Sequence, residues 1–290
     1  MQRRAETFFL SVFAAAIALC LCSITTSSAT EQSALYRSAA IVTGQELPNR
    51  VAAAKAALPR VLIKLSGDPS IANDARIAPY IKRAIDLVSA FTYRDQMAGV
   101  PVRDEQGTRD RPYDLTLQFD PAKIDDLLRK LDRKQWSGAR PTIAVFVSFN
   151  HTRRYTVTRD DPSSLGPREA LASASERAGL DIAIPMSYQA RESFADTVPL
   201  NAPLESKAKL AAALTPSATE HPVLTGHAVW DDDQLGWRTT WQLDARGKTI
   251  RWTVDQVTYD EAFRNGLIGT AQILSSHGTP SGVSGGKNSR

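Results

Sequence analysis

Apolar residues alternate strictly with polar residues over 112–119, and this period of two predicts a half-buried β-strand. Its apolar face holds Tyr113, Leu115, Leu117 and Phe119. The period then changes to that of a helix, which Asp120 caps and Pro121 begins. The buried face of this helix is predicted to contain Ile124, Leu127, Leu128 and Leu131. One short segment therefore predicts a strand followed directly by an amphipathic helix.

The rest of the N-terminal half also predicts a mixture of strands and helices. Residues 34–43 and 89–94 read as strands. A helix that begins near Pro48 and ends at Gly67 contains Pro59, which predicts a kink or a break. A second helical stretch is predicted over 76–88, with a stripe formed by Ile77, Ile81, Ile85 and Val88. We expect an α+β domain over 31–136.

The C-terminal half begins with a different pattern after Gly138. Residues 141–149 are almost wholly apolar, which indicates a strand covered on both faces. A helix over 166–178, ended by Gly179, and a second apolar strand over 180–185 complete a predicted βαβ unit.

A polar stretch leads to a short predicted helix over 204–214, and a regular pattern of strands follows. Three antiparallel strands are predicted over 222–230, 236–243 and 248–257, and a last helix over 258–276. We therefore expect an α/β domain over 139–276 and a disordered tail over 277–290. The fold class is α/β and α+β: two mixed domains, the second with a βαβ start, an antiparallel meander and a C-terminal helix.

Residues 1–29 predict an exported protein. Arg3 and Arg4 precede an apolar run of about 15 residues, which is shorter than the roughly 20 that span a bilayer. Small residues then precede Thr30, the expected first residue of the mature protein. We predict a cleaved signal peptide and a periplasmic location without an integral membrane span. The alternative is an uncleaved signal that anchors the protein to the inner membrane.

Composition excludes several function classes for the mature chain. Both cysteines, Cys20 and Cys22, lie in the leader, so we expect no disulfide partners, thiolate metal site or cysteine nucleophile. Removing two Arg and one Glu with the leader lowers the net charge from +4 to about +3, which does not indicate nucleic-acid binding. The chain also lacks glycine-rich phosphate-binding motifs. We expect no cofactor and no metal.

Two motifs match patterns of known sites but lack the features that such sites need. Gly282 to Gly286 match a nucleophile elbow, yet no histidine follows them. Asp231, Asp232 and Asp233 resemble the start of a calcium loop, but Leu235 and Gln242 occupy ligand positions. The acidic segment is therefore predicted to be a solvated hairpin turn. No catalytic residue is predicted from either motif.

Tryptophan is concentrated in the predicted meander, and this is the densest unusual feature of the chain. The four residues are Trp230, Trp237, Trp241 and Trp252. Trp237 and Trp241 share strand parity, so both should face the same side. That side is expected to be core, and a platform for a ligand or partner is the alternative. His151 follows the apolar strand at its C-terminal end, where open α/β sheets bind ligands. The candidate binding residues are Trp237, Trp241 and His151.

The order of several short motifs resembles the DUF-2066 family of bacterial envelope proteins, a domain of unknown function. The motifs are Leu62 to Asp68, Phe119 to Pro121, Trp136 with Arg140 and Pro141, Glu176 to Leu180, Leu224 to Gly226, Gly236 with Trp237, and Trp241 to Leu243. The resemblance spans 34–276, implies an exported or periplasmic location and assigns no activity or functional residue.

Two functions remain open from the sequence. The first is a non-catalytic envelope protein that binds a protein partner or helps to assemble a complex. The second is a hydrolase of envelope material that uses carboxylates, for which Asp181, Asp255 and Glu261 are the candidates. The first is favoured because no acid–base or metal-ligand pattern converges.

Overall fold

The computed structural model describes residues 33–99, 111–138, 140–195 and 197–281, which form two β-sheets and several helices. This confirms the predicted fold class. The described residues divide into two compact units. The first takes its residues from 33–61 and 80–126, and the second from 62–79 and 127–281. The domain ranges 31–136 and 139–276 stay a prediction; the compact units place 62–79 and 127–136 with the C-terminal residues.

The first unit contains a three-stranded antiparallel sheet in the order β1–β3–β2. Its strands are β1 (Arg37–Thr43), β2 (Val88–Asp95) and β3 (Pro112–Phe119). Leu115, Leu117 and Phe119 of β3 are fully buried, whereas Tyr113 is half-buried. The alternation over 112–119 therefore predicted the strand, its bounds and its inner face.

Two long helices follow the sequence pattern closely. They are α1 (Leu47–Ser66) and α3 (Pro121–Lys130). The amide of Lys123 donates to Asp120 Oδ1 (3.2 Å), which confirms the predicted cap of α3. Helix α1 runs unbroken through Pro59, so the predicted break is wrong. Buried residues on both sides of Pro59, Leu58 and Val61, supply packing that can offset one missing backbone hydrogen bond.

The predicted helix over 76–88 is wrong as a single element. The chain forms a 3₁₀ turn (Ala75–Ile77), the short helix α2 (Ala78–Lys82) and a second 3₁₀ turn (Ala84–Leu87). Of the predicted stripe, only Ile77 is buried. The side chain of Asp74 accepts a hydrogen bond from the amide of Arg76 (3.0 Å), and this local capping fixes a tight turn.

The second unit contains a six-stranded mixed sheet in the order β5–β4–β7–β8–β9, with β6 also paired to β4. Its strands are β4 (Ile143–Asn150), β5 (Arg154–Thr156), β6 (Ile182–Ala183), β7 (Val223–Asp231), β8 (Gly236–Ala245) and β9 (Lys248–Val257). Strands β4 and β6 are parallel, with a helix between them in the chain, which confirms the βαβ unit. Strands β7, β8 and β9 form the predicted antiparallel meander.

Helices cover both faces of β4. They are α4 (Leu165–Ala178), α5 (Ser187–Phe194), α6 (Leu204–Leu214) and α7 (Tyr259–Leu274). Alternate residues of β4, from Ile143 to Phe149, belong to a core that includes residues of α4 and α7. The residues between them, Ala144 and Phe146, pack in a second core with α5 and α6. The apolar strand is thus buried on both sides, as predicted.

Among the strands and α-helices of the second unit, two were not predicted, β5 and α5. Helix α5 lies inside 186–203, where the sequence suggested a polar stretch, and its Phe194 is buried against Phe146.

The first residues of the predicted tail contact the end of α7. The side chain of Gln272 donates to the carbonyls of His277 and Thr279 (3.2 and 3.3 Å). The remaining predicted tail, 282–290, and the predicted leader, 1–29, lie outside the described residues.

None of the helices in the described part of the chain is both long and apolar enough to cross a bilayer. Both cysteines precede residue 33 and lie outside that part.

Candidate functional site

Two of the three candidate binding residues, His151 and Trp237, meet at one corner of the large sheet. The ring of Trp230 joins them, because its centroid lies 5.3 Å from the centroid of His151 and 5.3 Å from that of Trp237. The ring centroids of His151 and Trp237 are 6.1 Å apart. The three residues come from the end of β4, the end of β7 and the start of β8. Pairing of Trp230 with Trp237 across β7 and β8 brings two tryptophans together. We call these three residues the aromatic corner.

The aromatic corner is anchored on one side and open on the other. Trp237 contacts the buried ring of Phe149, with centroids 4.9 Å apart, and so continues the core outward. Both tryptophans are half-buried, and 47% of the His151 side chain is exposed. A partner could therefore touch these rings without unfolding the sheet.

Trp241 lies on the same face as Trp237, as the parity predicted, but it is buried in the core. Its ring packs near Phe263 of α7 and against the backbone at Gly226 and Gly266. A Cβ at either glycine would come within 2.6 Å of the Trp241 ring, so both positions require glycine for this packing. A direct contact between Trp241 and a partner is therefore excluded in this conformation.

The acidic hairpin turn between β7 and β8 flanks the aromatic corner. Asp231 Oδ1 accepts from the amides of Asp233 and Gln234 (3.1 Å each), which shapes the turn. Asp232 accepts from the indole of Trp230 (3.0 Å) while 87% of its side chain stays exposed. With Val229 and Arg238, these residues line an open depression of about 420 Å³. Arg238 is paired with Asp255, so the depression keeps a negative charge.

The candidate carboxylates of a hydrolase make contacts with separate partners. Asp255 on β9 forms its ion pair with Arg238 of β8. Glu261 on α7 pairs with Arg264, one turn along the same helix (3.4 Å). Asp181 immediately precedes β6, and its carbonyl accepts from the amide of Ile143. The described contacts bring none of these carboxylates to a shared site.

His221 and His277 each form a hydrogen bond with a hydroxyl group. Nδ1 of His221 lies 2.7 Å from Thr215 Oγ1, and that of His277 lies 3.0 Å from Ser275 Oγ. Within the described part of the chain, no group of three His, Cys, Asp or Glu residues could hold a metal ion. The segment Gly282 to Gly286 lies outside that part.

A cavity of about 300 Å³ lies on the opposite face of the sheet from the α4–α7 core. Strand β5 and helix α5 supply most of its charged and aromatic lining, and Ser148 of β4 contributes a hydroxyl group. Ser148 is buried, and its Oγ lies 2.9 Å from Nδ1 of His227. Burial lowers the pKa of His227 below 6.5, and the charge of Arg154 acts in the same direction.

The pair of Ser148 and His227 resembles the nucleophile and base of a hydrolase in distance only. General-base catalysis requires a histidine that becomes protonated, and a carboxylate usually stabilises that cation. Here the charge of Arg154 opposes protonation of His227. The chemistry of the pair therefore fits a neutral, hydrogen-bonded polar group in a binding cavity.

The sequence interpretation missed this cavity, although two signals pointed to it. Ser148 is a polar residue in a strand that is otherwise apolar, and Arg154 belongs to a basic pair. In the sequence alone, a basic pair such as Arg153 and Arg154 is typical of a solvated loop. Arg154 instead begins β5 and lines the cavity, while Arg153 lies over the ring of Tyr155 (5.2 Å).

Comparison with known proteins gives one family match. No curated protein and no solved structure matches the chain. A family model described as a domain of unknown function (DUF8605) matches residues 29–137. The aromatic corner and the cavity both lie after this matched segment.

Proposed function

We propose that this protein is a non-catalytic binding or assembly protein of the bacterial envelope. The location rests on the leader over 1–29 and on the resemblance to the DUF-2066 family, which spans 34–276. The binding role rests on the aromatic corner, where His151, Trp230 and Trp237 remain accessible beside an acidic turn.

The chemistry of the corner favours a partner segment that presents a positively charged side chain. A cation is attracted to the face of a tryptophan ring, and the carboxylates of Asp232 and Asp233 add charge complementarity. Leu235 in the same turn is 77% exposed and offers apolar contact beside these carboxylates. A basic segment with apolar residues would satisfy all three features at once.

The alternative, a hydrolase that uses carboxylates, receives less support. A retaining or inverting glycosidase needs two carboxyl groups about 5–10 Å apart in one cleft. Asp255 and Glu261 are instead neutralised by Arg238 and Arg264, respectively. No contact described above brings either carboxylate to Asp181.

The experiment is a titration of the mature protein with a short peptide of alternating lysine and leucine. A peptide with glutamate in place of lysine tests the sign of the charge. We expect the lysine peptide to bind, with affinity that falls as salt is raised. Asp232→Asn combined with Asp233→Asn should weaken binding about tenfold, because each change removes a charge and keeps an acceptor oxygen.

The matched control combines Glu192→Gln with Glu205→Gln, which removes the same charge from exposed positions on α5 and α6. It should bind the lysine peptide as the wild type does. Equal weakening by the control would indicate attraction to net charge alone and would reject a specific site. Equal binding of the two peptides would reject the proposed cationic partner.

A further inference from the structure

The cavity lined by β5 and α5 has the size and lining of a small-ligand site. Its volume of about 300 Å³ is at the lower end for ligand pockets. It lies on the other sheet face from the aromatic corner, since Ser148 and Phe149 alternate along β4. A ligand here would be separate from the proposed envelope partner.

Two arginines place positive charge along the lining of the cavity. Arg154 of β5 and Arg191 of α5 both line it, and Asp161 is the one carboxylate among the lining residues that the structure describes. The carboxylate of Asp161 accepts from the amide and the hydroxyl of Ser163 (2.8 and 2.7 Å). These hydrogen bonds lower the pKa of Asp161 and hold its charge in the 3₁₀ turn over Pro162–Ser164. Two guanidinium groups and one carboxylate therefore supply the charge of the described lining.

Hydroxyl groups add neutral donors, and one side of the cavity is apolar. Ser148, Thr156 and Thr197 contribute hydroxyl groups to the lining. The apolar side holds Phe194 and Val198, both buried. A molecule with an apolar body could contact this side of the cavity, whereas an inorganic ion could not.

We propose that this cavity binds a small organic anion, whose carboxylate or phosphate group contacts Arg154 and Arg191 and whose apolar body lies against Phe194 and Val198. Guanidinium groups bind both oxyanions through charge-assisted hydrogen bonds. The hydroxyl of Ser148, which bonds Nδ1 of His227, is both a donor and an acceptor and can use the remaining capacity for the ligand. This inference does not rest on the proposed partner of the aromatic corner.

The test is calorimetric titration of the mature protein with four probes: hexanoate, hexyl phosphate, hexanamide and inorganic phosphate. Hexanoate and hexyl phosphate distinguish a carboxylate from a phosphate ligand. Hexanamide keeps the apolar body without the charge, and inorganic phosphate keeps the charge without the body. We expect at least one of the two organic anions to bind more tightly than both hexanamide and inorganic phosphate.

Arg154→Gln and Arg191→Gln should each weaken binding of the preferred anion by about tenfold or more, the cost of losing a hydrogen bond to a charged group. Both arginines are exposed residues, so their replacement should leave the melting temperature near that of the wild type. Arg264→Gln on α7 is the control, and it should bind as the wild type does. A variant that melts early is replaced by Arg191→Lys, which retains the charge and loses the planar fork.

Three outcomes would overturn the inference. The first is that neither organic anion binds. The second is that inorganic phosphate binds as tightly as they do, which would make the apolar side irrelevant. The third is that the glutamine variants at Arg154 and Arg191 bind as tightly as the Arg264→Gln control.

Discussion

The buried ring of Trp241 requires glycine at two of the positions that it packs against. The indole fills the space between β7 and α7, and Gly226 and Gly266 are the positions that allow it to do so. Its Nε1 is buried without a hydrogen-bond partner among the described residues, so this side chain contributes through packing. The sequence analysis expected a core position for Trp241, and its burial confirms this. Strand parity did not show that this burial depends on Gly226 and Gly266.

Replacing Trp241 with alanine should destabilise the protein strongly. We expect a loss of about 3–5 kcal/mol in the free energy of unfolding, since the change leaves a large cavity in the core. Trp237→Ala is the matched comparison and should cost less, because Trp237 is only half-buried. Chemical denaturation of both variants checks the order, and a larger cost at Trp237 would contradict the assignment of Trp241 to the core.

The contact between Trp241 and Gly226 should appear as non-additivity. Gly226→Ala places a Cβ 2.5 Å from the Trp241 ring and should destabilise the wild type. The same change should cost much less when residue 241 is alanine, because the clash is absent. Denaturation of the two single variants and the double variant measures this coupling. Additive costs would show that the clash does not limit position 226.

His227 should make the protein less stable in mild acid. Burial lowers its pKa in the native state below 6.5, so the unfolded chain binds more protons as the pH falls through 6.5. The contribution of His227 to stability is therefore largest above pH 6.5 and decreases below it, until the pH passes the lowered native pKa. His227→Gln should remove this part of the pH dependence of the melting temperature.

Arg154→Gln provides a second test of the same effect. The charge of Arg154 contributes to the lowered pKa of His227, so its removal should bring the native pKa closer to the ordinary value. The loss of stability in mild acid should then be smaller than in the wild type. An identical pH profile for wild type and His227→Gln would contradict a half-buried, neutral His227.

Elements that carry a long periodic pattern were predictable from the sequence. Elements that form only by pairing with a neighbouring strand were not. Strand β3 and helix α3 carry complete patterns of period two and 3.6, and the structure has both within a residue or two of the prediction. Strand β5 has three residues, too few for a period, and it forms because Ser148 to Asn150 pair with it.

The residues of the candidate site were predictable to the same extent. Those next to a recognisable strand could be selected, and those that meet only through packing of the sheet could not. His151 and Trp237 could be selected because each ends or begins a recognisable strand. Ser148 and His227 could not be paired, since 79 positions separate them in the chain. They meet because β4 and β7 are parallel neighbours in a register that places one beside the other. Register between distant strands is a property of the packed sheet, and local patterns do not determine it.

Arg140 connects the ends of two helices within the second unit. Its guanidinium donates to the carbonyl of Gly179, which follows α4 (2.9 Å), and to that of Lys64 near the end of α1 (2.7 Å). The same group lies 4.4 Å from the ring centroid of Trp136. Burial lowers the pKa of Arg140 to about 10, so it remains charged at neutral pH.

Arg140→Lys should therefore cost about 1–3 kcal/mol in the free energy of unfolding, because one ammonium group cannot reproduce the planar fork. Arg83→Lys is the control. Its ion pair with Asp86 is largely exposed and should contribute less than about 1 kcal/mol. Thermal and chemical denaturation compare the two variants, and equal melting temperatures would contradict the connecting role of Arg140.

For the molecule as a whole, export is the first expectation to test. The apolar run before Thr30 is short, and small residues precede that position. We expect protein made in a bacterium to be found in the periplasmic fraction with Thr30 or a neighbour at its N-terminus. Sequencing of the purified protein's N-terminus checks this, and Met1 on protein from the membrane fraction would support the uncleaved anchor.

The division into compact units also constrains the order in which the protein can fold as it is made. Residues 62–79 leave the ribosome before 80–126, yet they belong with residues from 127 onward. The carbonyls of Lys64 and Leu65 can accept hydrogen bonds from Arg140 only after that residue has been made. The carbonyl of Gly67 can accept from Ser275 only after that residue, the C-cap of α7, has been made. The second unit thus stays incomplete until α7 and its cap have been made, so residues 62–79 cannot reach their native contacts while 80–126 are being added.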